Sequence, residues 1–137
     1  MGTARVLRAT VCLPRHFSPM TEAHRQHVHH ANDEQLRYLI HENLKVFAKF
    51  TSENCAVCSA LAPPFAKFVD EEEYQSILFL KLNSDENPVA KKLMRDKATP
   101  FFVSYCQGRL LECAALTEVA DVRAQLDRLR AFAPIKA

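Results

Sequence analysis

The chain has 137 residues, of which 48% are apolar and 25% are charged, and its formal net charge is +2. This length suits one domain with a sizeable core, and the composition is that of a soluble globular protein. The small charge gives no reason to expect nucleic acid or an anionic membrane as a partner, and no apolar run reaches the roughly 18 residues of a membrane-spanning helix.

Residues 1–31 are predicted to form a mobile tail, because no apolar periodicity organises them. The first 19 lack acidic residues and are rich in Arg, Ser and Thr, which resembles an organelle transit peptide. The alternative is that Met20 is the natural start. No periodic scaffold fixes the histidines of the tail, so we expect no metal site there, only adventitious binding at His24, His27, His29 and His30.

The apolar periodicity predicts one domain over residues 32–132, with a short tail at 133–137. Asn32 or Asp33 is expected to cap the first helix. In chain order the pattern predicts a helix over 36–40, a strand over 44–50, a helix from 55 to 69, a strand over 77–82, a helix from 88 to 93, strands over 101–106 and 110–115, and a helix over 119–129. This order predicts an α/β fold with helices on both faces of a mixed sheet.

Cys55 and Cys58 are spaced as Cys-x-x-Cys, after a predicted buried strand and at the start of a predicted helix. A helix N-terminus stabilises a thiolate through its free N–H groups and its dipole, so Cys55 is the expected nucleophile and Cys58 the resolving thiol. Zinc also uses this spacing, but two further ligands at similar spacing are absent from the sequence. The position therefore favours redox chemistry and no metal.

The remaining cysteines and charge clusters are predicted to be structural or solvated. Cys106 and Cys113 flank a predicted two-residue turn at Gln107-Gly108, which would place Cys113 opposite Phe102, and both are expected to be buried thiols beyond disulfide reach. The run 71–73 of glutamates is expected to be a solvated helix end. The arginines of the last helix are expected to form a solvated face, namely Arg123, Arg128 and Arg130.

The segment from about 32 to 132 resembles the thioredoxin family in several motifs that occur in the family's order. These are the strand before the cysteine pair, the helix proline Pro63, the run 81–88 (KLNSDENP), and Thr99-Pro100 twelve residues after Asn87-Pro88. The resemblance implies a thioredoxin fold, with a central mixed sheet flanked by helices on both faces. It also implies that Pro100 is cis beside the cysteine pair. The residues it implies in substrate binding are Thr99, Pro100, Asn54, Ala56 and Val57.

Three departures from the family concern the site itself. Ala56-Val57 replaces Gly-Pro between the cysteines, Asn54 replaces a tryptophan, and Lys49 replaces the buried carboxylate that is paired with a lysine matching Lys81. We therefore expect two lysines beneath the dithiol, at least one of them with lowered proton affinity. A charged Lys49 would stabilise the thiolate, a neutral one would accept the Cys58 proton, and a third alternative leaves its amine in water.

The motif and the resemblance imply a thiol–disulfide oxidoreductase that exchanges disulfides with protein substrates in cell redox homeostasis. The exchange needs no dissolved cofactor, but turnover needs an external electron donor such as a thioredoxin reductase. An odd count of scattered cysteines favours a reducing compartment, so we expect a cytoplasmic monomer. The alternative is a thioredoxin-fold binding module that keeps the cysteines with little or no turnover.

Overall fold

The structure, a computed structural model, describes residues 27–135. Its strands and helices follow one another in this order: β1 (His29–His30), α1 (Asp33–Glu42), β2 (Lys45–Thr51), α2 (Ala56–Asp70), β3 (Ile77–Asn83), α3 (Pro88–Met94), β4 (Phe101–Cys106), β5 (Arg109–Ala115) and α4 (Val119–Ala131). Two short 3₁₀ turns precede and follow β3, at Glu72–Tyr74 and Ser84–Glu86. No helix within 27–135 is long and apolar enough to cross a bilayer.

The five strands form one mixed sheet in the order β1-β3-β2-β4-β5. Strand β2 lies at its centre, parallel to β3 and antiparallel to β4, and all seven of its residues are buried. Strand β1 pairs in parallel with β3, and β5 closes the other side as an antiparallel partner of β4. The mixed sheet predicted from the sequence is confirmed.

Alternation along β2 separates two hydrophobic clusters on opposite faces of the sheet. Phe47 points to the face covered by α2 and α4, where it packs against Phe65 and Phe102 with ring centroids 6.0 and 5.9 Å away. Val46 and its alternate neighbours point to the other face, where the first and third helices contribute Leu36, Ala90, Leu93 and Met94. Helices therefore cover both faces, as the chain order predicted.

Helices α1 and α2 start as their sequences indicate. Asn32 caps α1 in a reciprocal capping box with Gln35, in which each side chain accepts from the backbone N–H of the other residue. Helix α2 begins directly after Cys55 and continues through Pro63 and Pro64 to Asp70. This helix presents Cys58, Leu61 and Phe65 to the core, at the spacing of one helical face.

The N-terminal boundary of the fold differs from that expected from the sequence. His29 and His30, assigned to the tail, pair with Leu80 and Lys81 as strand β1, and Ala31 N donates to Lys81 O at 2.9 Å. A two-residue strand has too few residues to show a period, so the sequence pattern missed it. The rest of the predicted tail, residues 1–26 with His24 among them, lies outside the described residues.

Three apolar residues that lie in predicted strands or helices are exposed. Leu44 precedes β2 and is 51% exposed, Val89 is 65% exposed on α3, and Val119 is 39% exposed at the start of α4. Each lies at or near the end of its element, where the chain has not yet entered the packed part of the fold. The other apolar residues on the core-facing sides of β2, α3 and α4 are buried or partly buried.

The β4–β5 hairpin corrects the placement of Cys113. Gln107 and Gly108 form the expected tight turn, both with positive φ, and Cys106 pairs with Arg109 across it. A register shift at Ser104/Tyr105 then places Cys113 opposite Val103 rather than Phe102. Cys106 is buried as expected, but Cys113 is exposed on the edge strand, and the prediction of two buried thiols is wrong for it.

Some charged residues predicted to be solvated form specific pairs. Arg123 makes a bidentate ion pair with Glu71, with both nitrogen–oxygen distances 3.0 Å, and its guanidinium lies 4.9 Å from the centre of the Phe68 ring. Arg128 makes a second bidentate pair with Glu112 on β5. These contacts connect α4 to the end of α2 and to the sheet. Arg123 and Arg128 therefore do more than form a solvated face of the helix.

Candidate active site

Cys55 and Cys58 form a disulfide at the N-terminus of α2. Cys55 is the N-cap residue, with extended backbone angles, and its Sγ accepts a hydrogen bond from Cys58 N at 3.1 Å. Cys55 is half-buried, whereas Cys58 lies on the core-facing side of the helix and is 7% exposed. The helix therefore leaves the first sulfur accessible and directs a backbone N–H at it, which favours its thiolate form.

The loop before β4 meets the first sulfur from the opposite side. The Thr99-Pro100 peptide is cis, as the resemblance implied, and Cys55 Sγ lies 3.6 Å from Thr99 O. Thr99 is half-buried and Pro100 is buried. A hydrogen bond of 2.6 Å between Ser52 Oγ and Thr99 Oγ1 holds this loop to the end of β2. Ser52 was not identified in the sequence, although its place three residues before Cys55 was a usable signal.

Lys49 and Lys81 lie beneath the cysteines on the sheet face covered by α2. They are paired in register on β2 and β3, two residues beyond Phe47 and Phe79 on the same face. Lys49 is 1% exposed, and its Nζ lies 4.8 Å from the centre of the Phe65 ring. Burial, and secondarily the charge of Lys81, lowers the pKa of Lys49 from 10.5 to about 8.

The three alternatives for Lys49 concern its charge and its access to water. The residue is only 1% exposed, and it lines the cleft beside the disulfide. The expected loss of proton affinity is confirmed for Lys49. Because that pKa lies within about one unit of neutral pH, the amine is mainly a cation there and can still exchange its proton.

A cleft of about 540 Å³ opens beside the disulfide and reaches down to the lysines. Both cysteines line it, and its other lining residues apart from the lysines are small or polar: Thr51, Ser52, Asn54, Ala56, Ser59 and Ala62. Thr51, Ser59 and Ala62 were not singled out in the sequence. Strand alternation from Lys49 and helical spacing from Cys55 and Cys58 would have identified all three.

The three residues next to the cysteines that were predicted to bind substrate have different positions. Asn54 and Ala56 are exposed and line the cleft. Asn54 has φ +57°, a left-handed conformation that asparagine adopts more readily than most residues. Val57 is half-buried and packs against the Phe47 cluster, so the structure does not bring it into the cleft.

The donor set of the site suits sulfur chemistry. The two sulfurs are close enough to be bonded to each other, and residues 27–135 contain no group of three or more His, Cys, Asp or Glu side chains placed to hold a metal. A buried cation near a thiolate lowers the free energy of the charged sulfur. The arrangement can therefore form, break and exchange a disulfide with a partner that approaches Cys55.

Comparisons with known proteins agree with this geometry. The family model for thioredoxin matches residues 26–128. Thioredoxin f from spinach chloroplast, in its short form, is 20% identical with a TM-score of 0.72, over 81% of this chain and 100% of that one. Mitochondrial thioredoxin 3 of Saccharomyces cerevisiae, in its oxidised form, is 24% identical with a TM-score of 0.67, over 74% of this chain and 95% of that one.

A third similar structure is the thioredoxin of Malassezia sympodialis, 20% identical with a TM-score of 0.69, over 76% of this chain and 91% of that one. At these identities the structural likeness establishes the fold alone. No curated protein sequence matches the chain. The family model covers well over half of the chain, and it is this match that carries the assignment.

Proposed function

Because the chain belongs to the thioredoxin family of thiol–disulfide oxidoreductases, we propose that it reduces disulfides of protein substrates through Cys55 and Cys58. The observation that carries the proposal is the disulfide at the start of α2, with Cys55 half-exposed and Cys58 buried behind it. This difference in access gives the two sulfurs different tasks.

In the first step, the Cys55 thiolate attacks one sulfur of a substrate disulfide. The substrate S–S bond breaks, a mixed disulfide forms at Cys55, and the other substrate sulfur leaves as a thiolate. Before the attack, the Cys58 N–H and the helix N-terminus hold negative charge on Cys55 Sγ. Thr99 O, 3.6 Å from that sulfur, marks the side from which we propose a substrate peptide docks against Thr99 and Pro100.

In the second step, Cys58 attacks Cys55 Sγ. The Cys55–Cys58 disulfide forms, and the second substrate sulfur leaves as a thiolate. Cys58 is buried, so its thiolate needs a nearby positive charge, and the cleft that it lines brings in Lys49 and Lys81. We assign Lys49 the part of a cation that stabilises this thiolate, because an amine with a pKa of about 8 is mainly protonated at neutral pH.

A cycle requires two electrons to restore the dithiol after each substrate. We propose an external donor of the thioredoxin reductase type, and a monomer that works in cell redox homeostasis in the cytoplasm. The absence of any second dithiol close in sequence supports an external donor, since the other cysteines are scattered along the chain.

An insulin reduction assay tests the proposal: dithiothreitol supplies the electrons, the protein is added as catalyst, and the precipitation of reduced insulin is measured as turbidity. The wild type should shorten the lag before precipitation, and Cys55→Ser and Cys58→Ser should abolish this effect. Cys113→Ser is the matched control, because Cys113 is an exposed thiol away from the cleft and should retain full activity. A wild type that cycles between dithiol and disulfide but does not shorten the lag would support the binding-module alternative instead.

A further inference from the structure

The cleft beside the disulfide has the size of a small-molecule site and an unusual charge. Its volume of about 540 Å³ falls in the range of ligand pockets, and no aspartate or glutamate is among the described residues that line it. The two ionised side chains in its wall are both cationic, Lys49 and Lys81. An anion entering this space meets two positive charges and no competing carboxylate.

Lys49 is the second, independent indication of a ligand. The residue is 1% exposed, and it lines the cleft. Within 27–135 its amine makes no hydrogen bond or ion pair, and it lies 4.8 Å from the centre of the Phe65 ring. The ammonium group therefore lines the cleft without an acceptor from the described part of the chain, and a bound anion would supply one.

We propose that this cleft binds the carboxylate of a low-molecular-weight disulfide and so directs its sulfur to Cys55. The inference rests on the proposed exchange activity and names a further substrate class for the same dithiol. Cys55 lines the same cleft as the lysines, so one small molecule can reach both. The buried position of Lys49 favours a slender free molecule over a folded protein, whose acidic side chains are attached to a bulky backbone.

The reaction balances without any further reagent. The Cys55 thiolate attacks R–S–S–R, forming a mixed disulfide and releasing RS⁻. Cys58 then attacks Cys55 Sγ and releases the second RS⁻, which leaves the protein disulfide. The protein dithiol loses two electrons and two protons, and the small disulfide gains them as two thiols. Run in reverse, the same site would take electrons from an anionic thiol.

A charge series of small disulfides tests the inference. The probes are dithiodipropionate with two carboxylates, bis-hydroxyethyl disulfide without charge, and cystamine with two ammonium groups. Reduced protein is mixed with each, quenched with an alkylating agent, and its free thiols are counted from the intact mass. The wild type should react fastest with dithiodipropionate and slowest with cystamine, and added salt should narrow the difference.

The variants are Lys49→Met and Lys81→Gln, with Lys67→Met as the control that removes one charge from an exposed site on α2 outside the cleft. The quantity compared is the ratio of the dithiodipropionate rate to the cystamine rate. A change in thiolate content affects both rates equally, so it cancels in this ratio. We expect the ratio to fall about ten-fold in Lys49→Met relative to Lys67→Met, and to fall in Lys81→Gln as well.

The possible results separate the two proposals. If Lys49→Met and Lys81→Gln keep the ratio of the control within two-fold, the anion site is overturned, while the exchange activity stands. If the reduced protein is oxidised by none of the small disulfides and also does not reduce insulin, the proposed function itself is wrong. If Lys49→Met does not fold, the Lys81→Gln ratio alone decides.

Discussion

Lys49 and Lys81 face the same side of the sheet as directly paired residues on two adjacent parallel strands, beneath the helix that begins after Cys55. Like charges in register on neighbouring strands repel each other. The fold tolerates this pair although Lys49 is only 1% exposed, so that burial adds to the cost of its charge. The first prediction follows from that cost.

Lys49→Met in the oxidised protein is expected to raise the free energy of unfolding at pH 7. The pKa of Lys49 is lowered from 10.5 to about 8 in the folded chain. Below pH 8 the amine is protonated in both states, so the folded state carries the whole penalty. Between pH 8 and 10.5 the unfolded chain binds the extra proton, so wild-type stability rises with pH. The variant's advantage should be about 2 to 3 kcal/mol at pH 7 and small by pH 10.

Thermal and urea unfolding from pH 7 to 10 provide the measurement. Lys67→Met, which removes an exposed lysine from the same helix as the cysteines, should show no pH-dependent difference from wild type. An advantage of Lys49→Met that stays constant across this range would show that methionine merely packs better, and that the amine is not desolvated.

Alkylation of the reduced protein with iodoacetamide at neutral pH is expected to label Cys55 first. Its sulfur is half-exposed and accepts the Cys58 N–H, whereas Cys113 is exposed without such a donor in the described part of the chain and Cys106 is buried. Peptide mapping by mass spectrometry at short times gives the order. Labelling of Cys113 ahead of Cys55 would mean that the helix start does not activate its thiol.

The hydrogen bond between Ser52 and Thr99 is expected to stabilise the loop that meets the first sulfur. Ser52→Ala and Thr99→Val should each lower the free energy of unfolding by about 1 kcal/mol, and the double variant should lose little more than either single one. Urea denaturation of the wild type, the two single variants and the double variant gives the coupling free energy between the two hydroxyls. Fully additive losses would show that the two hydroxyls act independently.

Lys45→Met is expected to destabilise the protein by about 2 kcal/mol, because a charged donor is lost from two acceptors. Lys45 is 8% exposed, and its Nζ donates to Arg130 O and Phe132 O at 2.8 Å each, at the C-terminal end of α4. Hydrogen exchange should show that the loss of amide protection is concentrated in the last turn of that helix. Lys67→Met serves again as the control, and a Lys45→Met protein as stable as that control would contradict the assignment.

The sequence predicted the fold and most of the site because those parts follow short-range rules. Apolar spacing identified α2, and the family resemblance placed Lys49 beneath the cysteines, on the face where Phe47 packs. The cis peptide at Thr99-Pro100 followed from the family resemblance and not from local preference. The Lys49 and Lys81 pairing needed the register of two strands, which the resemblance also supplied.

What the sequence did not predict depends on long-range or one-residue effects. The register shift at Ser104/Tyr105 leaves no mark in the alternation of β5, yet it moves Cys113 to a different partner. The pairing of Arg123 with Glu71 joins residues 52 apart in the chain. The contact between Ser52 and Thr99 needs the cis loop and the end of β2 to be in place first.

The two edges of the sheet differ in a way that bears on self-association. Strand β1 has only two residues, so on that side it offers few free backbone groups to another molecule. On the other side, β5 is longer, but it carries Arg109 and Glu112 and lies next to a register shift. Short length and charge at an edge oppose strand-to-strand joining. A shortened chain that begins at Ala31 would lack β1 and would leave the edge of the apolar strand β3 (Ile77–Asn83) unpaired. Its tendency to form fibrils should therefore be higher than that of the full chain.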